Sequence, residues 1–360
     1  MVGEKLQMKV VFLGDAHWGA RGNSEFFLQK QLQFYRDVFF PYLIENDIKH
    51  VVQMGDLLDQ RKAINVNVLY HLRKEYLQRF EDLQIQHFVL VGNHDVVHNN
   101  TNKISALVEI ANTAEFAYTN VIQYPYTLES RELKIDLIPW INNENKTEIM
   151  DFMRNSNSDI LAGHLAINGF AMVSGLECKD GFETSLFRQY ETVLSGHFHL
   201  QSKKGNIHYI GTPYQMSWSD YGDDKGFWVL DTETKIMEFI KNTDSIFHKI
   251  NYDDESVDYD SFDELQYENC YVKVLVENKT NELMFDLFIS RLQYVTYDLM
   301  ISDTQTPDFS ETDIEEMDIE DTLAILLKSV DSVDVSADKQ SIKHKINNVY
   351  QETMDAMVAE

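Results

Sequence analysis

Five short polar fragments, each containing or adjoining a glycine, interrupt apolar runs along this chain. They are Asp15-x-His17, Gly55-Asp56-x-x-Asp59, Gly92-Asn93-His94-Asp95, Gly163-His164 and Gly196-His197-x-His199. The third follows residues 87–91, an apolar run of the length expected for a buried strand. Because α/β sheets place their sites where strands end, we expect the five fragments to meet at one edge of a sheet.

The order of apolar patterns predicts an α/β fold. Strands near 9–13, 50–54 and 87–91 alternate with helical patterns near 25–46 and 64–83. The helix at 25–46 contains Pro41, which is expected to kink or interrupt it. Later segments read mostly as strands, at 133–138, 159–162, 191–194, 207–210, 226–230 and 235–240. Two sheets sandwiched between helices, an αββα arrangement, accommodate these elements.

The chain is expected to contain three parts. Residues 1–244 carry all five fragments, and residues 245–302 read as a small α/β domain after an acidic loop at 251–264. Residues 303–360 read as an acidic linker and a helical tail, with helices expected at 312–330 and 338–357. Nine acids and no base lie between Asp303 and Asp321, a composition typical of a solvated linker.

Cysteine content and hydropathy indicate the compartment. Cys178 and Cys270 lie far apart with no CxxC spacing, which argues against a disulfide framework or a thiolate zinc site. The chain has no apolar run of about eighteen residues and no signal-peptide pattern at its start. We therefore expect a soluble, cytoplasmic protein without a membrane contact.

The formal net charge of -28 is concentrated in the last third of the chain. Residues 241–360 contain 28 acids and 9 bases, a balance of -19, against -9 for residues 1–240. No basic stripe provides the electrostatic footprint that non-specific DNA binders show. If the substrate is DNA, metal ions or a partner must supply much of the attraction.

The five fragments offer carboxylates, amides and imidazoles but no thiolate. This set of ligands suits Mn²⁺, Fe²⁺, Mg²⁺ or Zn²⁺ in a hydrolytic centre and disfavours a structural zinc. Asp15 and His17 are two residues apart, so on an extended segment they point to the same side and can hold one ion. Two neighbouring metals need a bridging ligand, and a carboxylate can bridge them. The alternative is a coincidence of core histidines and turn carboxylates.

The ordered set resembles that of the calcineurin-like metallophosphoesterases. Within them the chain is most similar to SbcD-type nucleases, homologues of the meiotic recombination eleven nuclease. The versions of T-even-like phages resemble it in size and in the stretches Asp59-Gln60-Arg61-Lys62 and Gly211-Thr212-Pro213-Tyr214. The resemblance covers residues 8–240, and more weakly the capping domain of that family at 245–302.

The resemblance implies roles for individual residues. It assigns one metal to Asp15, His17, Asp56 and His199, and a second to Asp56 as bridge, Asn93, His164 and His197. His94 then corresponds to a histidine that binds no metal and protonates the leaving 3′ oxygen, and Asp59 orients it. Imidazole titrates near neutral pH, as this task requires, and a carboxylate behind the ring would select its tautomer. Arg61 and His98 are candidate contacts to the DNA backbone, although an exposed polar loop explains His98 better.

The function expected from the resemblance is a two-metal DNA nuclease for recombination and repair. It implies a 3′-5′ double-strand exonuclease with a single-strand endonuclease as a second activity, and Mn²⁺ with Mg²⁺ as the alternative. It also implies an SbcC-type coiled-coil ABC ATPase that docks on the C-terminal region. A homodimer within a heterotetramer would form through the helices after Asp59 and Asp95. The alternatives are a small-substrate enzyme, either a cyclic-nucleotide diesterase or a phosphatase, and a non-catalytic scaffold.

Overall fold

The structure is a computed structural model that describes residues 9–98, 100–129, 133–173, 176–303, 339, 345 and 346. This part of the chain contains seventeen strands: β1 (Lys9–Leu13), β2 (His50–Gln53), β3 (Gln86–Leu90), β4 (Thr119–Ile122), β5 (Tyr126–Glu129), β6 (Lys134–Ile138), β7 (Ile160–His164), β8 (Ala171–Val173), β9 (Leu176–Glu177), β10 (Thr192–Gly196), β11 (Ser202–Lys204), β12 (Ile207–Tyr209), β13 (Gly226–Asp231), β14 (Met237–Lys241), β15 (Phe247–Asp253), β16 (Tyr271–Asn278) and β17 (Asp298–Asp303).

Eight α-helical segments join these strands within the described residues: α1 (Ala20–Asn23), α2 (Glu25–Phe34), α3 (Phe40–Glu45), α4 (Val66–His71), α5 (Gln78–Leu83), α6 (Ala106–Ala111), α7 (Lys146–Asn155) and α8 (Glu282–Val295). A π-helical turn at Tyr35–Phe39 joins α2 to α3, and another at Leu72–Leu77 joins α4 to α5. Pro41 lies in the first turn of α3. Since proline has no N–H to donate, the interruption predicted for this helix takes the form of a π-helical turn just before it.

Two six-stranded sheets form the body of the molecule. The first has the order β14-β13-β1-β2-β3-β4 and the second the order β11-β12-β10-β7-β6-β5. In the first sheet β1, β2, β3 and β4 are parallel, and β13 and β14 add antiparallel strands at one side. In the second, β12, β10, β7 and β6 are parallel between two antiparallel edge strands. Parallel strands therefore supply the five fragments.

Successive side chains of each strand point to opposite faces of the sheet, and the apolar side chains on the inner faces pack the two sheets together. In β1, Val10 and Phe12 are buried between the sheets, whereas Val11 and Leu13 are buried on the outer face, under the helices. The layer between the sheets also contains Leu137 of β6 and Ala162 of β7. Helix α7 covers the outer face of the second sheet, with Ile149 in the core. The fold is thus the predicted α/β sandwich of two sheets between helices.

A third sheet, β15-β16-β17, is wholly parallel and packs with α8 around its own apolar core. The expectation of a loop beginning at residue 251 was wrong at its start, because β15 continues through Asp253. In this strand Phe247, Ile250 and Tyr252 are buried, and its pairing with β16 overrides the acidic composition that suggested a loop.

The junction between the sandwich and this layer is polar and aromatic. The side-chain oxygen of Gln215 accepts hydrogen bonds from the backbone N–H groups of Ile246 and Phe247, at 2.8 and 3.0 Å. The ring of Phe26 in α2 lies 4.1 Å from the ring of Tyr297, centroid to centroid. Gln215 and Phe26 thus link the third sheet to the sandwich, and α2 also packs on the first sheet.

Two sets of sequence predictions cannot be compared with the structure. The linker and the helices expected at 312–330 and 338–357 lie outside the described residues, apart from 339, 345 and 346. The boundaries at 244/245 and 302/303 stay predictions. Across the part of the chain that the structure describes, no helix is both long enough and apolar enough to cross a membrane.

Candidate metal centre

The five fragments converge where the parallel strands of the two sheets end. Asp15 and His17 follow β1, Asp56 follows β2, and Asn93 follows β3, all in the first sheet. His164 is the last residue of β7, and the histidines of the fifth fragment follow β10 in the second sheet. Parallel strands present their carboxyl ends at one edge of each sheet. Each sheet supplies only part of the candidate ligands, so the two sheets together assemble the site.

The first cluster consists of Asp15, His17 and His199, whose ligand atoms all lie within 4.8 Å of one another. Nε2 of His17 is 3.1 Å from Nε2 of His199. Asp15 and His17 are buried, and His199 is partly exposed.

The second cluster consists of Asp56, His164 and His197, with ligand atoms again within 4.8 Å. Nε2 of His164 lies 3.2 Å from Oδ2 of Asp56 and 2.8 Å from Oδ1 of Asn93. The predicted fourth member of this set, Asn93, is therefore in contact with it.

Asp56, a member of the second cluster, also faces the first. Its Oδ2 atom is 3.9 Å from Nε2 of His17 and 3.2 Å from Nε2 of His164. Its Oδ1 atom accepts a hydrogen bond from the backbone N–H of His94, at 2.8 Å. One carboxylate thus faces a member of each cluster, as a bridging ligand must.

The arrangement of lone pairs fits two divalent cations. Oδ1 of Asp15 is buried without a hydrogen-bond partner among the described residues. His164 uses its Nδ1–H to donate to the carbonyl of Met54, at 2.9 Å, so in the neutral ring the Nε2 lone pair points at carboxylate and amide oxygens. A metal cation can take the place of the Nε2 proton among these oxygens, and imidazole, carboxylate and amide donors suit Mn²⁺ and its neighbours.

The electrostatics of the centre indicate strong attraction for positive charge. Burial raises the pKa of the Asp15 carboxyl to about 7, with the charge of Asp56 adding to the shift. Burial alone would lower the pKa of His17, but the hydrogen bond to Asp59 and the charge of Asp56 raise it to about 9. The same competition between burial and carboxylates raises the pKa of His164 to about 9. Two histidines thus hold protons where cations could bind.

The pKa values of the other two histidines in the clusters, His197 and His199, are lowered. Burial lowers the pKa of His199 to about 3, and the positive charge of His17 adds to the shift. Burial and the charge of His164 hold the pKa of His197 well below its ordinary value. Both rings are therefore neutral near pH 7, which is the form that ligates metal ions.

Three members of the clusters have a left-handed backbone. The φ angles are 45° for His17, 46° for Asp56 and 82° for His197. Such a conformation costs a residue other than glycine about 1–2 kcal/mol, and it concentrates at functional sites. The sequence contains no sign of it, since glycine occupies none of these positions.

His94 lies beside both clusters and belongs to neither. Its ring packs edge-on against the ring of His17, with centroids 4.9 Å apart. Its Nδ1–H donates to the backbone carbonyl of Asp59, at 2.7 Å. The expected contact between His94 and Asp59 therefore runs through the backbone, whereas the Asp59 carboxylate lies 3.3 Å from Nδ1 of His17. His94 and Asp59 are thus in contact, and the backbone carbonyl of Asp59 holds the ring.

Asp95 and Gly92 complete the turn after β3. The buried Asp95 carboxylate accepts hydrogen bonds from the backbone N–H groups of Gly92, Leu57 and Leu58, so it ties this turn to the one after β2. A Cβ atom added at Gly92 would lie 2.1 Å from Oδ1 of Asp56. Glycine is required here by the close approach of the bridging carboxylate.

The two candidate DNA contacts are placed differently. Arg61 is partly buried and near enough to His94 for its charge to lower the pKa of that ring, although burial of the ring is the larger cause. His98 is exposed, four residues beyond His94. Only Arg61 is thus associated with the centre by its surroundings.

Two further groups next to the clusters were missed by sequence reasoning. The ring of Trp140 lies 5.2 Å from that of His197 and 6.0 Å from that of His164, centroid to centroid. Trp140 comes two residues after β6, so the rule that sites form at strand ends could have identified it.

The second missed group is a buried ion pair. The ammonium of Lys225 lies 2.6 Å from Oδ1 of Asp220 and donates to the backbone carbonyl of His199 at 3.0 Å. Nothing in the sequence indicates that Asp220 and Lys225 are buried. Removing one partner of such a pair costs about 3–5 kcal/mol, because the other charge stays buried.

The chain belongs to the calcineurin-like phosphoesterase family. The family model of that description matches residues 8–201, which are more than half of the chain and include all seven residues predicted to bind metal. With two clusters of candidate ligands in place, the chain is a metal-dependent phosphoesterase. The family resemblance expected from the five fragments is confirmed.

Two curated proteins are similar to the chain over much of its length. Exonuclease subunit 1 of Enterobacteria phage T4 is 30% identical over 348 residues, which cover 96% of this chain and 99% of that protein. The SbcD component of the nuclease SbcCD from Staphylococcus epidermidis is 26% identical over 254 residues, 63% of this chain and 66% of that protein. A solved archaeal phosphodiesterase matches at 12% identity over 65% of this chain and all of its own, with a TM-score of 0.35, which is too low to carry an inference.

Proposed function

We propose that the chain is a two-metal nuclease that hydrolyses phosphodiesters at DNA ends. The observation that carries this proposal is Asp56, which faces both ligand clusters while its Oδ1 holds the backbone of His94. The names of the two curated relatives, one an exonuclease component and the other a nuclease component, support a nuclease over other phosphoesterases.

Seven side chains are assigned to the metals in this proposal. One ion would be held by Asp15, His17, Asp56 and His199, and the other by Asp56, Asn93, His164 and His197. The pair would polarise the phosphodiester and acidify a water molecule as the attacking group. The chain itself supplies the spacing of the ligands and a largely buried surrounding that strengthens their electrostatic effect.

His94 is assigned the transfer of a proton to the leaving 3′ oxygen. Its Nδ1–H is used by the carbonyl of Asp59, so Nε2 is the atom that can carry the proton. Burial lowers the pKa of the ring. A phosphodiester anion beside the ring would favour its charged form and raise this pKa again, because opposite charges stabilise each other at short range. Arg61 is the candidate for holding a flanking phosphate.

The finer assignments follow the family. They are a 3′-5′ double-strand exonuclease, a single-strand endonuclease as a second activity, Mn²⁺ as the preferred ion with Mg²⁺ as the alternative, and a role in recombination and repair in the cytoplasm. We also propose an SbcC-type ATPase partner on the C-terminal region. With a formal charge of -28, the chain has few means of attracting DNA, and such a partner could supply the basic surface.

A homodimer is proposed through the helices after Asp59 and Asp95. The side chains of Val66 and Tyr70 in α4 are 80% and 58% exposed, and that of Ile104 just before α6 is 55% exposed. These exposed apolar side chains, on the segments that follow Asp59 and Asp95, are the ones that such a contact would cover.

One assay separates the nuclease from its rivals. The chain is incubated with Mn²⁺ and one of three substrates: linear duplex DNA, bis-p-nitrophenyl phosphate or p-nitrophenyl phosphate. An Asp56→Asn variant is assayed in the same way. We expect degradation of the duplex that is lost in the variant. Turnover of the monoester alone would identify a phosphatase, and hydrolysis of the small diester without degradation of DNA would identify a small-substrate diesterase. No turnover of any substrate would identify a scaffold.

A further inference from the structure

A buried amide touches both turns that carry the first-sheet carboxylates of the centre. Gln53, the last residue of β2, is fully buried. Its Nε2 donates one hydrogen bond to the carbonyl of Gly14, at 2.7 Å, and another to the carbonyl of Gly55, at 3.1 Å. These carbonyls immediately precede Asp15 and Asp56. Both N–H groups of a single side chain thus hold the two turns that the clusters need.

A hydrogen bond from Tyr76 fixes the orientation of this amide. The Tyr76 hydroxyl, in the π-helical turn after α4, donates to Oε1 of Gln53 at 3.3 Å and lies 3.0 Å from Nε2 of His87. Nδ1 of His87 lies 3.3 Å from the hydroxyl of Thr119 in β4. Gln53, Tyr76 and His87 are all fully buried, so each polar atom depends on its neighbour.

One proton arrangement satisfies every donor in this row. Burial lowers the pKa of His87 to about 3, so its ring is neutral with one N–H. With that proton on Nε2, the ring donates to the Tyr76 oxygen and accepts at Nδ1 from Thr119. The Tyr76 hydroxyl is then free to donate to Gln53, whose amide donates to both turns. Hydrogen bonds aligned in one direction strengthen one another.

We propose that Gln53 is a positioning residue shared by both metal sites, and that Tyr76 and His87 hold it in the orientation this requires. The inference rests on the proposed function, because it presumes that Asp15 and Asp56 bind metal. Gln53 lies three residues before Asp56 and beside the carbonyl before Asp15, so a shift of its amide would move ligands of both sites together. Outer partners that orient ligands typically contribute about 10–100-fold to metal affinity.

The test measures Mn²⁺ binding by titration calorimetry on the full chain, with electron paramagnetic resonance to detect coupling between two bound ions. Gln53→Met keeps the length of the side chain and removes both donors. We expect it to weaken both Mn²⁺ sites about tenfold or more and to reduce the coupled signal. The matched control is Asp136→Asn. Asp136 is also fully buried, and its partners Thr127, Ser158 and Tyr190 include no candidate ligand.

Equal Mn²⁺ affinities in wild type and Gln53→Met would overturn the inference, and so would equal weakening in Asp136→Asn. If Gln53→Met does not fold, Tyr76→Phe decides, because it removes only the hydroxyl that orients the amide. It should weaken both sites by about 2–3-fold, on the scale of one modest hydrogen bond, and unchanged affinity would refute the proposal. A wild type that binds no Mn²⁺, or an Asp56→Asn variant that binds it normally, would contradict the proposed function instead.

Discussion

The two ring nitrogens of His94 have different surroundings. Nδ1 is bound to the carbonyl of Asp59, which leaves Nε2 as the nitrogen able to exchange a proton with a substrate. The backbone N–H of the same residue donates to Asp56. His94 is therefore positioned by the bridging carboxylate without supplying a ligand atom to either cluster.

Replacing His94 with asparagine should separate proton transfer from metal binding. His94→Asn keeps the backbone hydrogen bond to Asp56 and removes the titratable ring, so we expect both Mn²⁺ sites to persist while duplex degradation falls about 10²–10⁴-fold. Calorimetry counts the bound ions, and a nuclease assay measures the rate. An Asp56→Asn variant measured alongside should lose metal. If His94→Asn also empties a site, the assignment of His94 as a non-ligand is wrong.

The turn after β3 packs against the turn after β2 at Gly92. A Cβ atom added there would meet Oδ1 of Asp56 at 2.1 Å and its backbone N at 2.3 Å. Neither atom can give way easily, because one belongs to the backbone and the other also accepts the hydrogen bond from His94.

Gly92→Ala should therefore damage both stability and metal binding. We expect the free energy of unfolding to fall by about 3 kcal/mol, at the upper end for overpacking, and Mn²⁺ affinity to fall with it as Asp56 is displaced. Denaturant unfolding and calorimetry measure the two effects. Gly222→Ala is the control, since its added Cβ would meet no atom within 4 Å and only its left-handed backbone adds a cost, of about 1 kcal/mol. Equal effects in the two variants would contradict the argument.

The residues assigned to the metal centre and the segment assigned to the ATPase partner lie in different parts of the chain. All residues assigned to the centre lie between Asp15 and His199, inside the two-sheet sandwich, and the third sheet ends at Asp303 with β17. The segment beyond contributes no residue to the proposed chemistry. It is the part that we assign to the ATPase partner.

Deleting residues 304–360 should uncouple these roles. We expect the shortened chain to retain Mn²⁺-dependent hydrolysis of bis-p-nitrophenyl phosphate, because every residue assigned to the centre, the sandwich and all three strands of the third sheet remain. Binding to an SbcC-type ATPase, measured by co-purification, should be lost. The His94→Asn chain, with its C-terminus intact, serves as the control that binds the ATPase without cleaving. Binding by the shortened chain would refute the assignment of the C-terminal region.

The sequence by itself determined the fold class and the order of the candidate ligands. Continuous apolar runs such as residues 10–13 predict strands buried on both faces, and polar fragments with glycine mark where strands end. Both signals are local, so they can be read without a partner segment. The pattern failed at residues 251–253 of β15, where pairing with β16 and burial of Tyr252 decided the structure although the acidic composition indicated a loop.

Only the tertiary structure decided which atoms face one another. Which atom of Asp59 holds His94, and that the amide of Gln53 reaches the carbonyls of Gly14 and Gly55, depend on how the strands of the first sheet pair. How the histidines of the second sheet meet the carboxylates of the first depends on how the two sheets stack. The same holds for the burial of Lys225 beneath His199. Residue types and their spacing identify candidate ligands from the sequence. Contacts between segments as far apart as β1 and β10 form only when the core between the sheets packs.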